Sequence, residues 1–430
     1  MNFSQWFSIK ERNTNWLTEI LAGVTTFLTM MYIVIVNPTM FAAGGMDFGG
    51  VYLATIAAVV IATLIMGIVA NYPIAIGPGI GINAYLVYTV MRAGGVAWQS
   101  ALGAALVASG LFIVLSLTSF REMLINSIPE SLKMAMGAGI GLFVALIGLE
   151  NGGLVVGSTS SLVTMGDVTK PTAALTIFGL FITMGLTVLR IKGAIFLGMV
   201  VTALVAWGLG ELVLPEHFFS MPHGLEHTFL QLSFQEIHLL PMVIFTLLLV
   251  TLFDTTGTML GIGRQAGLIK DGKFPHLKSA LLADSIGSFC GAIFGTGPTS
   301  AYVESGTGVS AGGRTGFASV VTAVLFLLLI FCEPIAECVA AVPAITAPAL
   351  ILSGAFMVES LVDIDWHDST EAFPAFFTIV GMPLTFSIAN GVGMGIIIYA
   401  LLKLVSGQGK TVHPLLYLLA ILFASQIYYQ

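Results

Sequence analysis

Charge is the scarcest resource in this chain. Of its 430 residues 9% are charged and 57% apolar, with a mean hydropathy of +0.99. No soluble core hides that much apolar surface, so a globular cytosolic domain is excluded and the class is polytopic membrane protein. Cysteine is nearly absent too. Cys290, Cys332 and Cys338 are odd in number and lack a CxxC spacing, which leaves them as small apolar packing residues and argues against a disulfide framework or a metal centre. His217, His223, His227 and His238 share one polar connection, which reads as a solvated loop rather than a metal site and provides no histidine relay through the membrane. No basic cluster suggests nucleic acid, and no Ser/His/Asp set or HExxH run occurs at membrane depth, so neither an enzyme nor a cofactor is expected. Residues 1 to 16 hold charges and two tryptophans, with no small-residue cleavage site after the first apolar run. Trp6 and Trp16 therefore read as interface anchors rather than as part of a signal.

What is abundant is apolar runs. On the ruler of about 20 residues per span, segments fall at 17–37, 51–70, 74–91, 97–118, 132–149, 173–189 and 193–213, and then at 239–260, 278–294, 298–311, 316–333, 342–359, 371–388 and 390–405. That is seven and seven, with a short further run at 414–428 that either spans or lies at the interface. With a cytoplasmic N-terminus, the inside segments collect Lys10, Arg12, Arg121, Lys133, Arg190, Lys192, Arg264, Lys270, Lys273, Lys278, Arg314, Lys403 and Lys410. The outside holds only Arg92 and Lys170. Thirteen against two supports both the count and the orientation. The polar connection Glu211 to His238 is too short to fold alone, and the Asp-Gly of RQAGLIKDGKFPHLK marks a tight cytoplasmic bend.

Two segments cannot be ordinary helices. The tenth lies in GTGPTSAYVESGTGVSAGGRTG, residues 295 to 316, with seven glycines, a proline and Glu304. The third carries GPGIGINAY, residues 77 to 85. Irregular backbone at membrane depth survives only where it is buried in protein or lines a cavity. Each segment reads as a short extended stretch followed by a half-helix, starting near Asn83 and near Glu304, and two such stretches that cross can pair with each other. Seven helices per half implies an inverted repeat, in which matching Gly/Pro-interrupted segments point to the binding site. A shift of 217 residues lays Ala84-Tyr85 on Ala301-Tyr302 and Asn37 on Asp254. The GxGxG of 77 to 81 is no dinucleotide loop, because no soluble βαβ unit surrounds it. The GxxxG spacings Gly137 to Gly141 and Gly391 to Gly395 read as close helix packing.

Intramembrane acids are functional-site candidates by default. Asp254, in VTLFDTTGTMLGIG at the end of the eighth helix, is either a helix-end residue hydrogen-bonded by Thr255 and Thr256 or a buried acceptor for a polar ligand or a proton; Thr258 lies one turn on. Glu304 either caps the half-helix or faces a ligand across its glycines. Asp284, in LLADSIGSF, either braces the site through Ser285 and Ser288 or takes part in ion coupling. Arg314 reads as a headgroup anchor, and Glu333 and Glu337 as a solvated outer rim.

Together GPGIGINAY, LFDTTGTMLG and SAYVESGTGVSAGGRTG resemble the nucleobase:cation symporter family, in its branch of adenine, guanine and hypoxanthine permeases. The likeness runs from LAGVTTFLTMMYIVIVNP to MPLTFSIANGVGMG. The resemblance implies fourteen transmembrane segments in a 7+7 inverted repeat with two short strands in segments three and ten. It implies a core domain from 1–120 and 237–335 and a gate domain from 121–236 and 336–430, moving against each other in an elevator or rocking motion. Asp254 and Glu304 would then accept from purine ring N–H groups, Asn83, Ala84 and Val303 would add contacts, and Thr258 would line the pocket. Asp254, Glu304 and Asp284 would be the candidates for proton coupling. The resemblance further implies a purine nucleobase as substrate, a proton (or sodium) as coupling ion, contact with membrane lipids, a homodimer through the gate domains and a bacterial cytoplasmic membrane. Uracil or xanthine, or an anion exchanged on the same fold, are the alternatives; two acids in one cavity disfavour the anion. The run 414–428 departs from the family pattern.

Overall fold

The computed structural model describes residues 3–429 except 119–122, 125, 126, 160 and 269–274. Arg121, Lys270 and Lys273 of the inside cations, and the Asp-Gly bend at 271 and 272, lie outside the described residues. The chain folds as an all-α polytopic membrane protein. Among the described residues nine helices are long and apolar enough to span a membrane, or ten if the bent pair Gly316–Phe331 and Glu333–Ala340 counts as one span. The other expected segments are the two broken ones and two helices of less than spanning length.

In chain order, α1 (Phe3–Trp6) precedes the first span, which is jointed into α2 (Trp16–Met30) and α3 (Ile33–Ala43). At the joint the backbone tightens to i to i+3 bonds, Val34 N–H to Met31 O and Ile35 N–H to Tyr32 O, and Pro38 follows inside α3. Next come α4 (Phe48–Ile65), β1 (Ile76–Pro78), α5 (Ile80–Ala84) continued by a π-helical stretch Tyr85–Ala93, and α6 (Trp98–Leu117). They are followed by α7 (Glu130–Asn151), β2 (Val155–Ser158), β3 (Leu162–Met165), α8 (Pro171–Val188) and α9 (Ala194–Gly208). The second half holds α10 (Pro241–Gln265), α11 (Leu277–Phe294), β4 (Thr299–Ala301), α12 (Ser305–Ser310), α13 (Gly316–Leu328) and α14 (Glu333–Ala340). It closes with α15 (Pro343–Met357), α16 (Ser369–Thr385), α17 (Ile388–Val405) and α18 (Pro414–Tyr429). The terminal run is thus a helix, packed along α17 through Leu416, Leu419 and Phe423.

Two groups of helices pack mainly within themselves. In one, α4 contacts α3, α11 and α13, α2 contacts α12 and α13, and α6 contacts α10 and α11. In the other, α7 lies against α15, α16 and α17, and α8 and α9 pair with each other and with α15. The groups touch where α3 meets α15, α5 meets α7 and α10 meets α17. Gly141 of the first GxxxG explains the tightest packing: a Cβ there would sit 2.5 Å from the Gly354 carbonyl oxygen of α15. Its partner Gly137 is less crowded, with only the Ser360 hydroxyl near its missing Cβ.

Strands β1 and β4 pair antiparallel, with Ile76 opposite Ala301, Gly77 opposite Ser300 and Pro78 opposite Thr299. Gly79 N–H to Pro298 O and Tyr302 N–H to Ala75 O, both 3.0 Å, extend the ladder. The register corrects the sequence alignment of the halves. A shift of 217 lays the helical Ala84 on the extended Ala301, whereas the structure makes Gly79 and Glu304 the equivalent N-cap residues of α5 and α12. It also starts the first half-helix at Ile80 rather than near Asn83. The hairpin of β2 and β3 was not expected from sequence, although its β-branched residues flank a Gly/Ser turn.

Candidate functional site at the crossed strands

The crossing is held from outside the strands. Thr63 of α4 clamps β1, its hydroxyl donating to Ile76 O and accepting from Ile76 N–H, both at 3.0 Å. The Tyr302 hydroxyl donates to Pro78 O at 2.6 Å, and the Ser305 hydroxyl oxygen accepts from Ala75 N–H at 2.9 Å. Every polar backbone group the broken segments expose therefore needs a partner from the other half or from a neighbouring helix.

Behind β4 lies a buried carboxylate cluster. Asp284 has no exposed surface; its two oxygens accept from the Thr255 hydroxyl of α10 at 2.6 Å and the Thr299 hydroxyl at 2.7 Å. Ser288 extends the chain by accepting from Thr299 N–H at 2.9 Å. Asp284 thus links α10, α11 and β4. The expected serine bracing is half right: Ser288 acts through Thr299, while the Ser285 hydroxyl turns back to Leu282 O.

Asp254 sits within α10, which runs on for three further turns, so it is not the helix-end residue the sequence suggested. Its partner is the Ser300 hydroxyl, not Thr255 or Thr256, which are tied to Asp284 and to Leu252 O. Asp254 and Thr258 are partly exposed, and Gly257 and Gly261 have open space where a Cβ would be. Opposite, Val303 is 58% exposed and Glu304 partly so. The two carboxylates are close enough to interact electrostatically. Although Glu304 is the N-cap residue of α12, its side chain does not cap the helix; it accepts from the Tyr32 hydroxyl at 2.7 Å.

Four expected site residues, Asp254, Thr258, Val303 and Glu304, therefore have accessible surface. Asn83 and Ala84 do not: both are fully buried. The Asn83 amide donates to Asn37 Oδ1 at 2.9 Å, and the Asn37 amide donates to Thr55 and Thr296 at 2.7 and 2.9 Å, so this network locks segment three to its neighbours. Arg314 is tied to the end of the half-helix. Its guanidinium donates to Val309 O and Gly313 O at the end of α12, and its backbone N–H is held by the buried Glu19 carboxylate at 2.9 Å. Glu333, expected at a solvated rim, is only 2% exposed, with Oε2 3.0 Å from His223 Nδ1.

Sequence reasoning missed Tyr32, Ser300, Thr299 and Glu19. Two of them carried a usable signal: Tyr32 as the one tyrosine of the apolar run 17–37, six residues before Pro38, and Glu19 as an acid within that run.

A helical membrane scaffold with two interrupted spans crossing beside paired carboxylates is the architecture of a secondary transporter. The chain belongs to the permease family Xan_ur_permease, whose profile matches residues 17–393. It falls in the branch that holds named purine permeases. It is 46% identical to the guanine/hypoxanthine permease PbuO of Bacillus subtilis, over 98% of this chain and 99% of that one. It is 40% identical to the adenine permease AdeP of Escherichia coli, over 98% and 95%. Among solved structures, the transmembrane domain of a cyanobacterial bicarbonate transporter, BicA, matches with a TM-score of 0.66 at 16% identity, covering 87% of this chain and 97% of that one. That likeness concerns the fold alone.

Proposed function

We propose that the protein imports purine nucleobases, adenine, hypoxanthine or guanine, by proton symport. The observation that carries this reading is the pair of partly exposed acids Asp254, within α10, and Glu304, at the start of α12, beside the crossed strands. A purine is flat and neutral and presents ring N–H donors on its edge. Ionised carboxylates are acceptors only, and two of them flanking a slot fit such an edge while disfavouring an anion. The names of the relatives point to the same substrates.

Asp254 and Glu304 are then the substrate contacts, with Thr258 and Val303 lining the slot, and either acid takes the coupling proton. Neutralising one charge lets the loaded site cross the barrier without carrying a bare carboxylate through it. Residues 1–120 and 237–335 form the core that carries the slot, and 121–236 and 336–430 the gate against which it moves. The separate packing of the two helix groups supports this division. Asp284, doubly bonded by threonines, braces the slot in this reading rather than titrating. A homodimer through the gate, a bacterial cytoplasmic membrane and an inside N-terminus complete the proposal; the cation asymmetry supports the orientation.

The test is uptake of radiolabelled adenine, hypoxanthine, guanine, xanthine and uracil into cells lacking their own nucleobase permeases, with and without a protonophore. Accumulation of a 6-substituted purine that collapses with the protonophore is expected. No accumulation of any nucleobase by protein that reaches the membrane refutes the reading.

A further inference from the structure

One hydroxyl bridges the two helix groups at the site. Tyr32, at the α2/α3 joint, is 1% exposed; its oxygen lies 2.7 Å from Glu304 Oε1 and 3.4 Å from the Ser353 hydroxyl of α15. Tyr32 and Glu304 belong to the group that carries the crossed strands, and Ser353, itself buried, to the group around α7. The charged or titratable neighbours of Glu304 are Tyr32, Asp254 from α10 and, beside Tyr32, Tyr302. None is a cation.

We propose that Tyr32 is a positioning residue that transmits the protonation state of Glu304 to the gate helix α15 through Ser353. This rests on the transport reading above. The argument is donor counting. An ionised Glu304 can only accept, so the single Tyr32 proton points to it and Ser353 can only donate to the phenol oxygen. When Glu304 gains one proton, its own O–H donates to the phenol, and the Tyr32 proton turns to the Ser353 oxygen. The Ser353 proton is then released to a carbonyl of its own helix. No covalent bond other than the new carboxyl O–H forms, one charge disappears, and the direction of the chain across the interface reverses. Binding of a proton on one side of the interface is thereby felt on the other, without any movement of backbone being required first.

The variants Tyr32→Phe and Ser353→Ala keep shape and remove one hydroxyl each. They would be purified, reconstituted into liposomes and compared with wild type in three measurements. These are hypoxanthine binding against pH, hypoxanthine exchange at equal pH, and accumulation driven by a pH gradient. We expect both variants to bind and exchange hypoxanthine, to lose about tenfold in gradient-driven accumulation, the worth of one hydrogen bond, and to be no worse in combination than Tyr32→Phe alone. A readout free of transport is the infrared carboxylic-acid band that appears on acidification and is absent in Glu304→Gln. Tyr32→Phe should shift that band. Wild-type binding, together with variants whose pH profile, accumulation and infrared band are unchanged, overturns the relay alone. Failure of the wild-type chain to bind any nucleobase overturns the transport reading, and the relay with it.

Discussion

Removing the Asp284 carboxylate separates bracing from coupling. Asp284→Ala deletes the acceptor of two buried hydroxyls, Thr255 at 2.6 Å and Thr299 at 2.7 Å. Hydrogen bonds to a charged acceptor contribute roughly 1.5 to 3 kcal/mol each, and the variant no longer has to desolvate a carboxylate, which offsets part of the loss. A net cost of about 3 kcal/mol follows. Asp284→Asn keeps the shape and one acceptor, so Thr299 stays satisfied and only Thr255 has to reverse; about 1 kcal/mol is the expected cost. The entropy of unfolding grows with chain length, so each kcal/mol lowers the melting temperature by roughly 1 to 2 °C here. The assay is thermal unfolding in detergent, paired with the pH profile of hypoxanthine uptake. The expected order is wild type, Asp284→Asn, Asp284→Ala, falling by about 1 to 2 and 3 to 6 °C, with the pH profile of the Asn variant retained. An Asn variant as stable as wild type whose uptake no longer responds to pH refutes the bracing argument and makes Asp284 the coupling group.

Glu304→Gln should leave hypoxanthine exchange measurable and make uptake indifferent to a protonophore; proton-driven accumulation that persists in this variant sinks Glu304 as the coupling acid. Lys403 is buried near the end of α17, with Nζ 2.8 Å from Glu371 Oε1 and 2.6 Å from the Thr370 hydroxyl. Lys403→Met therefore removes the cation beside Glu371, which keeps the Ser131 and Tyr399 hydroxyls as donors, and should cost about 1 to 3 kcal/mol, with part of it restored by adding Glu371→Gln; thermal unfolding of the two variants checks this. In the connection before α10, a hydrogen bond to its own backbone and the nearby Glu333 carboxylate hold the exposed His223 above the ordinary histidine value. A raised folded-state value means the contact is fully present below about pH 6.5 and is lost as pH rises through that higher value. The protection of residues 217–227 against hydrogen exchange, corrected for the intrinsic rate, should fall as pH rises above about 6.5, and His223→Gln should abolish that fall.

Apolar run length made the scaffold legible, because the bilayer imposes it on any chain that spans it. The broken segments were legible for the opposite reason, since glycine, proline and an acid are costly in hydrocarbon and survive only with a purpose. Register was not legible. The 217-residue shift matched identical letters, Ala-Tyr with Ala-Tyr, whereas the pairing of β1 with β4 is set by backbone hydrogen bonds that carry no side-chain signature. Side-chain partners were legible only where they lie close in sequence. Thr255 and Thr256 were named for Asp254 because they adjoin it, yet a helix turns adjacent residues to different faces, and Thr255 faces Asp284. Asn83 was expected as a ligand contact only through the resemblance. Its burial depends on Asn37, Thr55 and Thr296, which three other segments supply.

The crossing of β1 and β4 also bears on the order of assembly. When the first half of the chain enters the membrane, β1 has no strand beside it, because β4 has not yet been made. The Thr63 hydroxyl satisfies Ile76 in the meantime, both its N–H and its carbonyl. Gly77 and Gly79 wait for groups supplied by the stretch from Pro298 to Ala301. The first seven segments are thus an unfinished object, with an open polar edge that tolerates neither lipid nor a long delay. Folding of the site is a late event that joins the two halves, and a chain cut between them regains its site only when both pieces share one bilayer.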